Sequence, residues 1–411
     1  MDWYFYIAGT AIFIQLFFVY NAFRNYRYVR IKSTKEKPST LRPRTCLIVP
    51  CKGLDAHFDS NLRSFFRQDY ENYHLVFVVE SESDPAYREL CALRDTLSPA
   101  SHALDVDILV AGASQSCSQK IHNLLYAYDR IPADSEVLAF ADSDICVHDD
   151  WLSRLVRSLR RPKCGLTTGY RWFIPTRNNP ATLALSAINA AVAQFLGNSP
   201  FNQAWGGSMA IRTEDFRRLN VSELWANTLS DDLSLSQAVK RADMRITFVP
   251  ECLVASFESS TWPKLYEFGR RQFLITRVYA PGTWCLGFLT SLGSVLGLWG
   301  AIAMAIYAAA VGAESLSYYV AVPLVFLAGQ FVRAILRQMM AVEALGEYLR
   351  PLRPAMAADL IGFWLWSLVL FASMLSSAFG RTIRWRGIRY RLVSPTETKV
   401  FSNAPNAPGT A

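Results

Sequence analysis

Apolar positions gather at the two ends of this chain, and a mixed stretch lies between them. Trp3 to Phe23 is an uncharged apolar run rich in Phe, Ile and Tyr. It suits one membrane crossing, which takes roughly 20 residues. Beyond Pro281 the apolar runs return: Trp284 to Gly312, Ser317 to Ile335 interrupted by Arg333, and Ala355 to Ala378 with Asp359 near its start. The middle reads differently. Short apolar strands, Thr45–Pro50, His74–Val79, Asp105–Val110 and Val137–Ala141, alternate with helical stretches such as Asn61–Gln68, Lys120–Tyr128 and Trp151–Leu159. That alternation predicts an α/β domain, a mostly parallel sheet with helices on both faces. Ligands of such sheets collect at the carboxyl ends of the strands.

Composition agrees. Of 411 residues 51% are hydrophobic and only 18% charged, a low charge content for a soluble protein. The net charge of +8 sits largely beside the apolar runs, as in Arg24, Arg27, Arg30, Lys32, Lys35 and Lys37. Membrane flanking explains those charges, and no nucleic-acid partner is expected. A cleaved signal peptide would begin with positive charge. Here Asp2 comes first and the basic cluster last, so an uncleaved anchor is expected, with the following domain in the cytosol. The eight cysteines form no CxxC pair, which argues against a zinc site or a disulfide framework.

The expected organisation is an anchor over 1–23, a basic juxtamembrane linker over 24–43, and a catalytic domain over 44–260. An interfacial amphipathic helix over 261–281, a transmembrane region over 282–380 and a basic tail over 381–411 follow, with Asn403 to Ala411 disordered. The basic residues of Arg381 to Arg391 place the tail in the cytosol, yet three C-terminal crossings would put it on the far side. A re-entrant segment or a hairpin within the long run would reconcile the two.

Chemistry concentrates at a few places. Asp142-Ser-Asp144 follows the strand Val137–Ala141 directly. Residues two apart on an extended chain point the same way, so the two carboxylates can hold a divalent cation, Mg²⁺ or Mn²⁺, against a diphosphate. The bland alternative is a loop aspartate, although Asp149 or Asp150 would cap the next helix better. Ser230-Asp-Asp232 precedes the helical Leu233–Arg241. One acid could be a helix cap; two exceed that need, and Asp232 can serve as a general base. Trp205-Gly-Gly207 allows close backbone approach to a ligand, though taken alone it is a turn. In Trp262 to Pro281, aromatic residues mix with Lys264, Arg270, Arg271 and Arg277; beyond anchoring, Arg271 and Arg277 suit diphosphate.

Taken in order, several segments resemble ceramide glucosyltransferases. They are Val49-Pro-Cys-Lys-Gly53, Asn61 to Tyr70, Glu82-Ser-Asp-Pro-Ala86, Gln119-Lys-Ile-His-Asn-Leu124, then Asp142, Asp232 and Trp385-Arg-Gly387. The resemblance runs from Val49 to Arg391 and implies a GT-A fold, the Rossmann-like fold of the wider family 2 type group. It implies a UDP-sugar donor with Pro50, Lys52, Glu80, Asp84, Lys120, Asp142, Arg271 and Gln272 around it, and a cation on Asp142 and Asp144. It further implies Asp232 as base of an inverting transfer, and Trp205, Gly206, Gly207 and Asp231 on the acceptor side. Arg271-Gln272 would open the family's (Gln/Arg)-x-x-Arg-Trp motif, but Leu274 and Ile275 stand where Arg and Trp are expected, with Arg277 as the available substitute. The acceptor is then a membrane lipid, ceramide or a hopanoid or diacylglycerol relative. The expected setting is the bilayer, as a multi-pass protein of a bacterial inner membrane or of the Golgi. A processive polysaccharide synthase would need more crossings and the intact motif. A catalytically degenerate membrane scaffold would have no use for Asp142, Asp144 and Asp232.

Overall fold

The computed structural model describes residues 2–35, 41–55 and 57–401. Residues 36–40 of the expected linker and the end from Asn403 lie outside them. Helix α1 (Asp2–Lys35) runs through the basic cluster instead of stopping at Phe23. It continues because Tyr26 and Val29 bury themselves against Phe248, Leu336 and Met340.

The middle of the chain forms a seven-stranded sheet in the order β3-β2-β1-β4-β6-β5-β7. Its strands are β1 (Thr45–Pro50), β2 (Tyr73–Val79), β3 (Asp105–Val110), β4 (Val137–Ala141), β5 (Cys164–Pro175), β6 (Ser208–Arg212) and β7 (Arg245–Glu258). β1 to β4 are parallel neighbours, while β6 is antiparallel to both β4 and β5. The helices are α2 (Phe58–Phe66), α3 (Pro85–Leu97), α4 (Gln119–Tyr128), α5 (Trp151–Arg157), α6 (Pro180–Ala193), α7 (Thr213–Arg218), α8 (Val221–Trp225) and α9 (Asp231–Arg241). Strand periodicity divides the core in two. Leu47, Val49, Phe77 and Ala139 meet α2, α3 and α5 on one face. Cys46, Ile48, Val78 and Phe140 meet α4, α8 and α9 on the other. Burial on both faces is why these strands read as unbroken apolar runs.

Helix α10 (Trp262–Tyr279) leads into α11 (Pro281–Val295), a π-helical turn, and α12 (Ala301–Ala310); α13 (Leu316–Ala344) and α14 (Leu349–Ser377) follow. Among the described residues four helical segments, Trp3–Ser33, Pro281–Ala310, Leu316–Ala344 and Gly346–Ser377, are long and apolar enough to cross a membrane. α13 runs alongside α1 in the same direction: Tyr4 stacks on Tyr319 at one end, 4.8 Å between ring centroids, and Arg30 meets Glu343 at the other, 3.9 Å.

α14 behaves differently. Near its start Leu352 and Ala355 pack with Trp172 and Ala190. Farther along, Trp366 and Val369 meet Leu185 and Leu265. At its end Ser377 accepts from Trp284 Nε1, 2.9 Å. The helix therefore lies along α6 and α10, its start packed on the sheet domain and its end against the first turn of α11.

The basic tail folds as a second, antiparallel sheet, β8 (Thr382–Trp385), β9 (Ile388–Ser394) and β10 (Glu397–Phe401). Ile383, Ile388, Tyr390 and Leu392 alternate with exposed arginines and pack on Leu229, Leu233, Leu274 and Tyr279. The tail thus packs on the sheet domain and α10, and Leu274 and Ile275 form part of its seat.

Candidate active site

Four parallel strands end at one edge, and the site is built there. β1 delivers Pro50 and Lys52 to a large cavity. Lys52 pairs with Glu80, which follows β2. Asp84 caps α3 by accepting from Ala86 N at 2.9 Å, and the same oxygen accepts from Gly53 N at 2.9 Å. Glu80 and Asp84 stand behind the cavity wall rather than in it, shaping the loop that carries Lys52.

Ser118 caps α4 and so fixes Lys120 in the first turn. Its Nζ lies 2.7 Å from Asp142 Oδ1 and 3.0 Å from Asp231 Oδ2. Burial opposes the charge on Lys120, but Asp142, Asp231 and Asp232 outweigh it and hold its pKa above the ordinary lysine range. Burial likewise acts to raise Asp142, and Lys120 reverses this, leaving it below the ordinary carboxylate range. Burial, with Asp232 and Asp142 adding to it against Lys120, pushes Asp231 up to about 6. Asp231 is thus the counter-ion of Lys120. The helix cap of α9 is its neighbour Ser230, whose Oγ accepts from Leu233 N.

Asp231 and Asp232 both line the cavity, and Asp232 is the less buried of the two. Its Oδ1 accepts from Ser230 Oγ at 2.6 Å and from Leu233 N at 2.7 Å; its Oδ2 accepts from Gly206 N at 3.1 Å. These three donors fix the direction of the carboxylate. Pairing of β6 with β4 brings Trp205-Gly-Gly207 beside Asp142, whose N–H donates to Gly207 O at 3.4 Å. Trp205 and Gly206 line the cavity, while Gly207 backs it. A Cβ at Gly206 would collide with Asp231 Oδ2 and come 2.7 Å from Lys120 Nζ. Gly206→Ala is therefore expected to cost about 1–3 kcal/mol of stability, as overpacking does. Thermal unfolding beside turnover checks this: unchanged values for both would show that the centre tolerates displacement.

Guanidinium groups complete the wall. Arg171, from β5, approaches Asp144 at 3.7 Å and lies over the rings of Phe173, Trp205 and Phe268. Arg271 lies over Phe268 and Trp385; burial and the neighbouring Arg171 push its pKa down to about 10. Gln272 lines the cavity beside it. Arg277, the expected substitute, turns away and donates to Gly380 O. Sequence reasoning assigned no role to Asp55 or Arg171, and for Arg386 it had only the resemblance at Trp385-Arg-Gly387. Arg171 sits in a strand that carries no motif, and Asp55 and Arg386 are 331 residues apart in the chain.

Asp142 and Asp144 offer two carboxylates to a divalent cation. Burial and the charge of Asp142 push Asp144 up to about 6, and its Oδ1 is buried without a hydrogen-bond partner. Among the described residues no cluster of three or more His, Cys, Asp or Glu side chains forms. This incomplete set fits a cation that draws its other ligands from water and substrate phosphates, as Mg²⁺ does. The cavity, of 1810 Å³, begins at these carboxylates and reaches apolar walls formed by Phe17, Phe18, Leu286, Phe363 and Leu370.

The model of glycosyl transferase family 21 matches residues 9–398. A ceramide glucosyltransferase of Komagataella phaffii (strain GS115 / ATCC 20864) is 26% identical over 162 residues, 38% of this chain. The match spans 31% of that relative's length. Among solved structures, a Pyrobaculum calidifontis mannosyltransferase in complex with GDP-Man and Mn²⁺ aligns at TM-score 0.45 and 15% identity, over 90% of this chain and 97% of that one. GalNAc-T7 with UDP, GalNAc and Mn²⁺ aligns at TM-score 0.39 and 12% identity, over 58% of this chain and 48% of that one. At these scores neither structure bears on individual residues.

Proposed function

This chain belongs to glycosyl transferase family 21, and on that premise we propose that it transfers a sugar, glucose first among candidates, from a UDP-sugar to the hydroxyl of a ceramide-type membrane lipid. One observation carries the lipid reading: a single cavity joins the Asp142, Asp231 and Asp232 carboxylates to the apolar walls of α1, α11 and α14. A polar nucleotide can enter from the sheet side while an acyl chain lies between the helices.

The transfer is an inverting displacement. The lipid hydroxyl oxygen attacks the anomeric carbon, the bond to the diphosphate breaks on the opposite side, and Asp232 takes the hydroxyl proton. Lys120 and Asp231 hold the floor beneath, and Arg171 and Arg271 bring positive charge to the wall. A divalent cation on Asp142 and Asp144 would neutralise charge on the leaving diphosphate.

Membranes containing the protein, incubated with labelled UDP-sugars and ceramide, are expected to yield a labelled glycolipid on chromatography. No lipid-bound label from any of the donors would sink the reading. EDTA is expected to stop the transfer and added Mg²⁺ or Mn²⁺ to restore it; full activity in EDTA removes the cation from the mechanism.

The same geometry supports a bilayer arrangement. α1, α11–α12 and α13 cross, α14 lies along the cytosolic face beneath α6 and α10, and the catalytic domain and tail share the cytosol. Three crossings in all then satisfy the charge rule. In vesicles sealed with the cytosolic face inside, protease is expected to cut a tag placed at 311–315 and spare the sheet domain. Digestion of the sheet domain would reverse the orientation.

A further inference from the structure

The turn between β8 and β9 reaches back over the chain's first strand end. Arg386 and Gly387 occupy it with positive φ, 48° and 83°, the backbone of a tight hairpin turn. The turn brings Trp385 and Arg386 to the cavity wall. The Arg386 guanidinium forms a two-pronged pair with Asp55, Nη1 to Oδ1 at 2.9 Å and Nη2 to Oδ2 at 3.0 Å. Its positive charge also acts on Asp142 and Asp144. The sheet that carries it is anchored at the centre of the site: Tyr390 Oη accepts from Gln119 N, next to Lys120, at 3.3 Å.

Two of the other cations of the centre are already committed to carboxylates. Lys120 is held between Asp142 and Asp231, and Arg171, which lies over three rings, faces Asp144. Arg386 is held by a single carboxylate at the rim, its side chain 40% exposed. A guanidinium fork fits a phosphate as well as it fits a carboxylate. A diphosphate beside Asp144 brings more negative charge than Asp55 does.

We infer that Arg386, delivered by the C-terminal sheet, holds the sugar-bearing phosphate of the nucleotide donor, and that Asp55 keeps it oriented until the donor replaces that contact. The inference rests on the donor reading above. It also gives a physical reason for Leu274 and Ile275: α10 supplies the apolar seat at those positions, and the sheet it seats supplies the tryptophan and arginine.

The test measures UDP and UMP affinity in the presence of Mn²⁺ for the purified full chain and three variants. Arg386→Ala is expected to weaken UDP at least about tenfold, as loss of a charge-assisted pair should. UMP, which lacks the second phosphate, should move less than about twofold, within the scatter of such comparisons. Arg386→Lys should keep part of the UDP affinity, and Asp55→Asn should bind UDP at least as tightly as the parent. Parent-like UDP binding by Arg386→Ala overturns the inference. So does an equal loss of UDP and UMP, which marks an undocked sheet, and so does an Asp55→Asn loss as large as that of Arg386→Ala. A parent protein that binds no UDP overturns the donor reading itself.

Discussion

Asp232→Asn is expected to bind UDP like the parent and to lose transfer by about 10²–10⁴-fold, the usual cost of removing a general base. The prediction rests on the division of labour between two adjacent acids. Both acids line the cavity, but Asp231 is buried and spent on Lys120, whereas Asp232 is half-buried with its direction set by Gly206 N, Ser230 Oγ and Leu233 N. Asparagine keeps the shape and can still accept through its oxygen, but it cannot take up a proton. Turnover measured beside UDP affinity decides the case. Normal turnover in Asp232→Asn means the base is elsewhere, and lost UDP affinity means the carboxylate is structural. Asp231→Asn should disturb Lys120 first and turnover second, so a dead Asp231→Asn beside a live Asp232→Asn would exchange the two assignments.

Lys120→Met should be the most destabilising single change in the centre. It leaves Asp142 and Asp231, at 2.7 and 3.0 Å from Nζ, without their shared cation. Removing one partner of a buried pair costs about 3–5 kcal/mol. The cost should depend on pH with a definite sign. Without Lys120 the folded-state pKa values of both carboxylates rise above their unfolded values. The native state then holds more protons than the unfolded one, and stability falls as pH rises through those values. Burial already pushes Asp231 up to about 6 with the lysine present. The variant should therefore unfold more readily at pH 8 than at pH 6, and the gap to the parent should widen across that window. A gap that stays constant or narrows toward pH 8 would show that Lys120 does not neutralise these carboxylates.

Local pattern alone determined the elements that have one-dimensional signatures. The strands Thr45–Pro50, Asp105–Val110 and Val137–Ala141 form over the residues their apolar runs predict. Burial on both sheet faces makes Thr45–Pro50 and Val137–Ala141 unbroken apolar runs, whereas the edge strand Asp105–Val110 leaves Asp105 and Asp107 exposed. The amphipathic stretch from Trp262 forms α10, and Asp142-Ser-Asp144 lies at a strand's carboxyl end for the same reason of period and punctuation. What only the tertiary structure decided are contacts between distant segments. The arginines from 381 to 391 read as a solvated basic tail, because charge dominates composition while the alternate Ile383, Ile388, Tyr390 and Leu392 need a partner surface before they count as strands. α14 has the length and hydropathy of a crossing, and neither property distinguishes lipid on all sides from α6 and α10 on one. The pairing of Asp231 with Lys120 was likewise invisible in the sequence. Adjacent residues in the first turn of a helix point about 100° apart, and which one meets Lys120 depends on where α4 and α9 dock on the sheet.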